Sequence, residues 1–280
     1  MLPAAFETVS GDRRLRVARI GSGPPLVCLH GYPENLQIWC GLAPLLAKRF
    51  EVIAFDWPGM GGSDAWPGGA TPFHQADRLA ALLDHWRLER AGLLAMDMGA
   101  QPALAFAAQH PQRASFLVVM NSLLYGDERT SWEIRLLRRF GWNRFIIRRL
   151  PRTVFRRAER TFLPRGVRLP AELRADFWES FRRPEVRAFI SKMCAGYQGK
   201  LDELPRLYPS VKCPTLVLWG ENDRHFPPVH ARRLQESIPG SRLAILPGAE
   251  HWMAWHRAAD VAEKIGTTKN GDSHQFSIFP

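Results

Sequence analysis

Short apolar runs alternate with amphipathic stretches over roughly the first 120 residues, and the alternation stops at Ser122. Residues 14–20 switch between polar and apolar positions, as a half-buried strand does. Residues 26–30, 51–55, 91–96 and 115–120 are nearly continuous apolar runs of strand length, which suits strands covered on both faces. Residues 36–48 have helical periodicity, and Thr71-Pro72 resembles an N-cap followed by proline at the first helical position, opening a helix to about Arg87. Residues 98–109 read as a further helix. From 122 to about 207 the chain is instead mostly helical, arginine-rich and aromatic. Residues 214–219 resume strand character, followed by a helix at 229–238, a strand at 243–246 and a helix from about Trp252. Strands alternating with helices predict an α/β protein with a mostly parallel sheet flanked by helices. A helical insertion after the sixth strand implies a cap over the carboxyl edge of that sheet, where such folds place their sites. The expected organisation is a core of 1–121 and 208–266, a cap of 122–207 and a loose polar tail of 267–280, with no internal repeat.

Composition narrows the class. The 280 residues are 46% hydrophobic with ten tryptophans, which excludes a disordered chain and suffices for one domain with a large core. No run is long and apolar enough to span a bilayer, and Met1-Leu2-Pro3-Ala4-Ala5-Phe6-Glu7 lacks the basic stretch of a signal peptide. Cys28, Cys40, Cys194 and Cys213 show no short paired spacing, so neither a metal site nor a redox pair is expected, and a reducing cytoplasm is the expected setting. The net charge of +11 is concentrated in residues 122–187, which hold 17 arginines, no lysine and 8 acidic residues. In Arg135-Leu136-Leu137-Arg138-Arg139-Phe140 and Arg144-Phe145-Ile146-Ile147-Arg148-Arg149 charge and apolar residues interleave at helical spacing. A solvated helix face is the simplest reading. Contact of this basic segment with a membrane surface, or with acidic partners, is the weaker expectation. No nucleic-acid motif accompanies the charge, so no nucleic-acid partner is expected, and the pattern leaves the oligomeric state open.

The densest chemical signal is Ala95-Met96-Asp97-Met98-Gly99-Ala100, between a predicted strand and a predicted helix. Strand, sharp turn and helix with small residues on either side is the setting of a nucleophile elbow, written G-x-S-x-G. Ala95 stands for the first glycine and Asp97 for the serine. A carboxylate there cannot make a serine-type acyl enzyme, but it can attack saturated carbon to form an ester that water then cleaves. The competing reading is an aspartate capping the next helix. Downstream, Gly220-Glu221-Asn222-Asp223 ends a strand with an acid, and Ala249-Glu250-His251-Trp252 follows the last strand with a histidine. Nucleophile, acid, histidine is the chain order of an α/β-hydrolase. His251 is preferred as the base over His256, a turn farther on, and over His225, which is expected to be exposed. Glu250, next to His251, is expected to raise the imidazole pKa. Upstream, His30-Gly31-Tyr32-Pro33-Glu34 follows the third strand. The N–H groups of Tyr32 and Met98 are the expected oxyanion hole, with His30 holding the loop rather than acting as a base.

With Asp56-Trp57-Pro58-Gly59-Met60-Gly61-Gly62-Ser63-Asp64 added, these motifs make the chain resemble α/β-hydrolases with an aspartate nucleophile, in the epoxide hydrolase and haloalkane dehalogenase branch. The resemblance covers about residues 14–264. It implies an α/β-hydrolase fold, Asp97 as nucleophile, Asp223 with His251 to activate water, no cofactor and a small apolar organic substrate. Haloalkane dehalogenases typically hold halide with a tryptophan after the aspartate and often an asparagine in the oxyanion loop. Met98 and Tyr32 occupy those positions, and neither side chain brings an indole or amide N–H. Fluoroacetate dehalogenases use arginines just after the nucleophile, where Met98 and Gln101 offer none. Epoxide hydrolases fit better, through the aromatic residue of the oxyanion loop and the His-Trp pair. In that family cap tyrosines protonate the epoxide oxygen. Tyr197 matches the second of them; for the first, Tyr125 sits at the cap entrance, with Trp132 and Trp142 as alternative occupants of that space. A dehalogenase with an atypical halide site is the alternative enzyme, and a non-catalytic ligand-binding homologue the alternative of another class. Met98 and His251-Trp252-Met253-Ala254-Trp255 are also similar to serine-dependent carbon–carbon hydrolases and esterases, so a serine-type ancestor altered to Asp97 is a further reading.

Overall fold

Eight strands, β1 (Ala4–Val9), β2 (Arg13–Ile20), β3 (Pro25–Leu29), β4 (Glu51–Phe55), β5 (Ala91–Met96), β6 (Ala114–Met120), β7 (Thr215–Gly220) and β8 (Arg242–Leu246), form one sheet. The computed structural model describes residues 1–138 and 141–266. Strand order is β1-β2-β4-β3-β5-β6-β7-β8; β2 runs antiparallel to both β1 and β4, and every other neighbouring pair is parallel. All residues of β5 and β7 are buried, which is why these strands are apolar without alternation. β2 lies near the edge and alternates, burying Leu15 and Val17 while Arg14 and Arg19 reach solvent.

The helices are α1 (Ala43–Leu46), α2 (Pro72–His85), α3 (Ala100–Gln109), α4 (Trp132–Arg138), α5 (Trp142–Arg149), α6 (Pro151–Phe162), α7 (Ala171–Phe181), α8 (Pro184–Gln198), α9 (Val229–Ser237), α10 (Met253–His256) and α11 (Ala258–Gly266). This is the α/β-hydrolase fold that the motifs imply, with α4–α8 in the connection between β6 and β7. α2 starts as predicted, with the Thr71 hydroxyl accepting from the His74 N–H and Pro72 in the first turn. Three elements differ from the pattern. β1 was not legible, because a polar edge strand leaves Phe6 exposed and buries only Val9 fully. The helix expected over 36–48 is broken into a 3-10 turn (Leu36–Trp39) and the short α1; Asn35 caps the first piece, and Pro44, which has no N–H to bond back into a preceding turn, falls in the first turn of the second. The helix expected from Met98 begins at Ala100, after a 3-10 turn over Asp97–Gly99. The expected tail of 267–280 lies outside the described residues.

Register brings the strand ends to one edge: Leu29 pairs with Ala95, Met96 with Met120, Met120 with Leu218, and Gly220 with Leu246. The loops that follow these strands carry Tyr32, Asp97, Asn121, Asp223 and His251. The inserted helices are anchored over the same loops. Asp176 of α7 pairs with Arg16 of β2 at 2.7 Å and accepts from the Asn35 amide at 2.7 Å. Arg183 donates to the Gly61 carbonyl at 2.7 Å, and Trp252 N–H to the Phe162 carbonyl at 3.0 Å.

Gly99 is what lets the elbow turn this sharply. A Cβ there would lie 2.2 Å from the Leu29 carbonyl oxygen and 2.8 Å from that of His30. Both are backbone atoms, at the end of β3 and in the residue after it, and cannot swing away. Gly99→Ala is expected to destabilise the fold by about 1–3 kcal/mol, the usual cost of overpacking, read as a lower Tm. An unchanged Tm contradicts this account of the turn.

Candidate active site

Asp97 sits in the left-handed region, with φ 47°, a conformation that residues bearing a Cβ adopt at a cost of roughly 1–3 kcal/mol. Its backbone is pinned on both sides: its N–H donates to the Asn121 carbonyl at 3.2 Å, and its carbonyl accepts from the Ser122 hydroxyl at 2.7 Å. The helix-cap reading does not hold, because α3 has no side-chain cap. Instead, Oδ2 of Asp97 accepts the Tyr32 N–H at 2.9 Å, and the Met98 N–H bonds to the same carboxylate. Gly31 allows the approach, since a Cβ there would lie 2.3 Å from Asp97 Oδ2. Burial pushes the Asp97 carboxyl pKa up, opposed by the His251 charge and the two N–H groups, and the net direction is upward.

His30 does what the sequence suggests. Its Nδ1 donates to the Gly31 carbonyl at 2.7 Å and its Nε2 accepts the Trp57 N–H at 3.2 Å, which braces the Tyr32 loop. Burial lowers its pKa to about 4, so it stays neutral.

Asp223 and His251 are brought together, with Nδ1 of the fully buried imidazole 2.8 Å from Asp223 Oδ2. Asp223 Oδ1 accepts the N–H groups of His225 at 2.8 Å and Phe226 at 3.1 Å, so the acid cannot rotate freely. Nδ1–H therefore faces the acid, and His251 Nε2 is left without a protein partner. Burial opposes the imidazolium, but the charge and hydrogen bond of Asp223, then the charges of Asp97 and Glu34, hold the His251 pKa up at about 9. Glu250 is not among the causes, contrary to the expectation from its position; its carboxylate points away to lie 3.1 Å from His256 Nε2.

Two residues of the site were missed. Glu34 is buried, accepts the Gly31 N–H at 3.2 Å and the Trp252 indole N–H at 3.1 Å, and is pushed by burial and by Asp97 to about 7. Asn121 accepts the Gly220 N–H at 2.9 Å and donates to the carbonyls of Glu250 at 3.2 Å and His251 at 3.1 Å, joining three loops. The sequence signal was present for both, as polar residues next to apolar strand ends. Apart from Gly31, their partners lie 99 to 218 residues away along the chain.

Asp97 lines two adjoining cavities. The larger, of about 250 Å³, is walled by Tyr32, Trp132, Ile134, Phe162 and His225 among others. The smaller, of about 60 Å³, adds Met98, Gln101, Cys194 and Tyr197. Tyr197 thus reaches the Asp97 site. Tyr125 does not: its hydroxyl lies 3.0 Å from Ser237 Oγ and its ring packs against Tyr208. Trp142 is in the wall of neither cavity, and its ring packs against Phe145. Tyr32, singled out for its N–H, places its side chain in both cavities as well. His225 is the plainest correction. Expected to be exposed, it is buried, because the β7 loop tucks its ring against Phe162 and His251. A wider cleft of about 870 Å³, lined by Arg156, Arg160, Arg165 and Arg168, includes none of the site residues in its walls. Among the described residues no group of three or more His, Cys, Asp or Glu is placed to hold a metal ion, and no helix is long and apolar enough to cross a membrane.

Residues 24–258 match the family described as alpha/beta hydrolase fold. The chain is 30% identical to 2-hydroxy-6-oxononadienedioate/2-hydroxy-6-oxononatrienedioate hydrolase 2 of Pseudomonas putida, over 88% of each protein. Among solved structures it is similar to the haloalkane dehalogenase DbeA from Bradyrhizobium elkani (TM-score 0.79, 22% identity, 94% of this chain and 95% of that one). It is equally similar to a Pseudomonas aeruginosa protein described as an epoxide hydrolase (TM-score 0.81, 23% identity, 94% of each chain). At these identities the two structures speak for the fold alone.

Proposed function

The chain belongs to the α/β-hydrolase family, and we propose that it hydrolyses an epoxide, or a similarly strained electrophile, through a covalent ester on Asp97. The observation that carries this reading is the buried carboxylate at the strained elbow, met by both N–H groups of the hole and facing the Asp223–His251 pair. In the first step Asp97 attacks one ring carbon, the carbon–oxygen bond breaks, and the Tyr197 hydroxyl gives its proton to the leaving oxygen. Burial keeps that phenol protonated, raising its pKa well above the ordinary value; the Arg78 charge opposes the rise without cancelling it. In the second step neutral His251 takes a proton from water, hydroxide adds to the ester carbonyl, and the Tyr32 and Met98 N–H groups hold the resulting oxyanion. Collapse expels the second oxygen as an alkoxide, which takes the proton from His251; the acid proton left on Asp97 returns to the Tyr197 phenolate, and the diol leaves with both groups restored. Helices α4–α8 act as the cap that keeps bulk water from the electrophile.

The relative from Pseudomonas putida, named as a hydrolase of 2-hydroxy-6-oxo acids, favours a second reading, in which an acyl carbon is attacked. Asp97 weighs against it, since a carboxylate adding to an acyl carbon gives a labile mixed anhydride rather than an ester. Halide release is the third outcome. The same small apolar carbon frames, presented as epoxides, bromides and esters, separate them by product. Diol formation is expected to dominate, and Tyr197→Phe is expected to slow epoxide alkylation by about 10²–10⁴-fold, the usual range for general-acid catalysis. Faster bromide release than ring opening, with Tyr197→Phe harmless to both, replaces the epoxide with a halide.

A further inference from the structure

His225 lies two residues beyond Asp223, is 2% exposed, and lines the 250 Å³ cavity that Asp97 also lines. Its ring packs at 4.8 Å from Phe162 and 6.1 Å from His251, centroid to centroid. Nδ1 lies 2.8 Å from Ser131 Oγ, and Nε2 has no protein partner. The network on the Nδ1 side decides what Nε2 offers. Ser131 Oγ accepts the Ile134 N–H at 3.3 Å and also bonds to the Glu133 carboxylate. Burial pushes Glu133 up, but the hydrogen bonds from Arg157, from its own backbone N–H and then from Ser131 hold it below its ordinary value, so it is ionised and can only accept. Ser131 therefore gives its one proton to Glu133 and takes its own hydrogen bond from His225 Nδ1–H. That leaves Nε2 as a bare lone pair. Burial, aided by the His251 charge, lowers the His225 pKa to about 4, so the lone pair persists at neutral pH.

In the surrounding wall Leu136, Leu137, Ile146 and Val154 are apolar, and the polar pair Glu133 and Arg157 is engaged with itself. The wall also holds donors in Tyr32, Trp132, Thr153 and Thr161, but none of them makes a hydrogen bond to Nε2. A buried acceptor without a partner costs about 1–3 kcal/mol, and such groups in native proteins call for an explanation. We infer that His225 Nε2 accepts a hydrogen bond from a ligand, and that the ligand of the Asp97 cavity is an otherwise apolar molecule carrying a hydroxyl or amide N–H donor. This rests on the reading that the cavity holds the substrate, but not on the identity of the leaving group.

The test uses 2-phenylethanol and ethylbenzene, which differ by one hydroxyl and carry no leaving group. Their affinities are measured by calorimetry on the native chain, His225→Phe and His225→Gln, with Tm as the check on folding. The native preference for the alcohol over the hydrocarbon is expected to fall by about five- to tenfold in His225→Phe, the worth of one neutral hydrogen bond. His225→Gln, whose amide oxygen can accept, is expected to recover part of it. A preference that is the same in the native chain and in His225→Phe overturns the inference. Because neither probe can alkylate Asp97, failure here with an Asp97 ester trapped elsewhere refutes recognition by His225 alone. A shifted preference without any ester refutes the covalent route and leaves His225 standing.

Discussion

Asp97→Ala is expected to lower turnover of whatever substrate the native protein hydrolyses by about 10⁴-fold or more, without loss of the fold. In the proposed mechanism the substitution removes the atom that forms the bond, and neither the hole nor His251 can supply another. Stability should hold or rise, since burial of this carboxyl is unfavourable enough to raise its pKa against the pull of His251 and two N–H donors. The Tm therefore distinguishes a chemical loss from an unfolded variant. Asp223→Asn is expected to be milder, because His251 survives with a poorer orientation and without the charge that favours its protonated form. Native activity in Asp97→Ala places the chemistry elsewhere and makes the cavity a binding site.

In His251→Gln the two half-reactions should come apart. Attack by Asp97 does not need the imidazole, whereas cleavage of the ester does, so an adduct is expected to accumulate on the peptide containing Asp97 and to show by mass. No adduct, with a substrate that the native protein turns over, means that the division of labour is wrong. The native protein should carry the matching pH signature. Free, it holds the His251 proton up to about pH 9. Esterification cancels the Asp97 charge, one of the causes of that rise, so ester cleavage should increase with pH and level off between the ordinary histidine value of about 6.5 and about 9. Stability runs the other way. In that window the folded state keeps a proton that the unfolded chain has released, so the His251 contribution is full below about 6.5, declines as pH rises, and is gone above about 9. Rapid-quench kinetics and thermal unfolding across the same buffers check both signs.

Where reading the chain succeeded, the signal was local. Apolar runs of strand length located β3 to β7, because a strand buried on both faces has to be apolar at every position. Thr71-Pro72 announced α2 through groups that act within one turn. It failed where a neighbour from far along the chain intervened. Asp97, an apt N-cap by residue type, turns instead toward Tyr32 because Asn121 and Ser122 hold its backbone at a positive φ.

By itself the sequence determined the α/β-hydrolase fold, the order Asp97, Asp223, His251, and the loop that presents Tyr32, since order and periodicity are properties of the chain. The tertiary structure decided how these groups are charged and what they face. Glu250 lies next to His251 in sequence but turns its carboxylate to His256, while Glu34, more than two hundred residues upstream, contributes to the His251 pKa. His225 is buried with a free lone pair, Tyr125 is turned away, and Tyr197 is turned in. The reason is physical: burial and charge–charge coupling depend on separation in space, and the seven strand pairings set that separation where spacing along the chain does not.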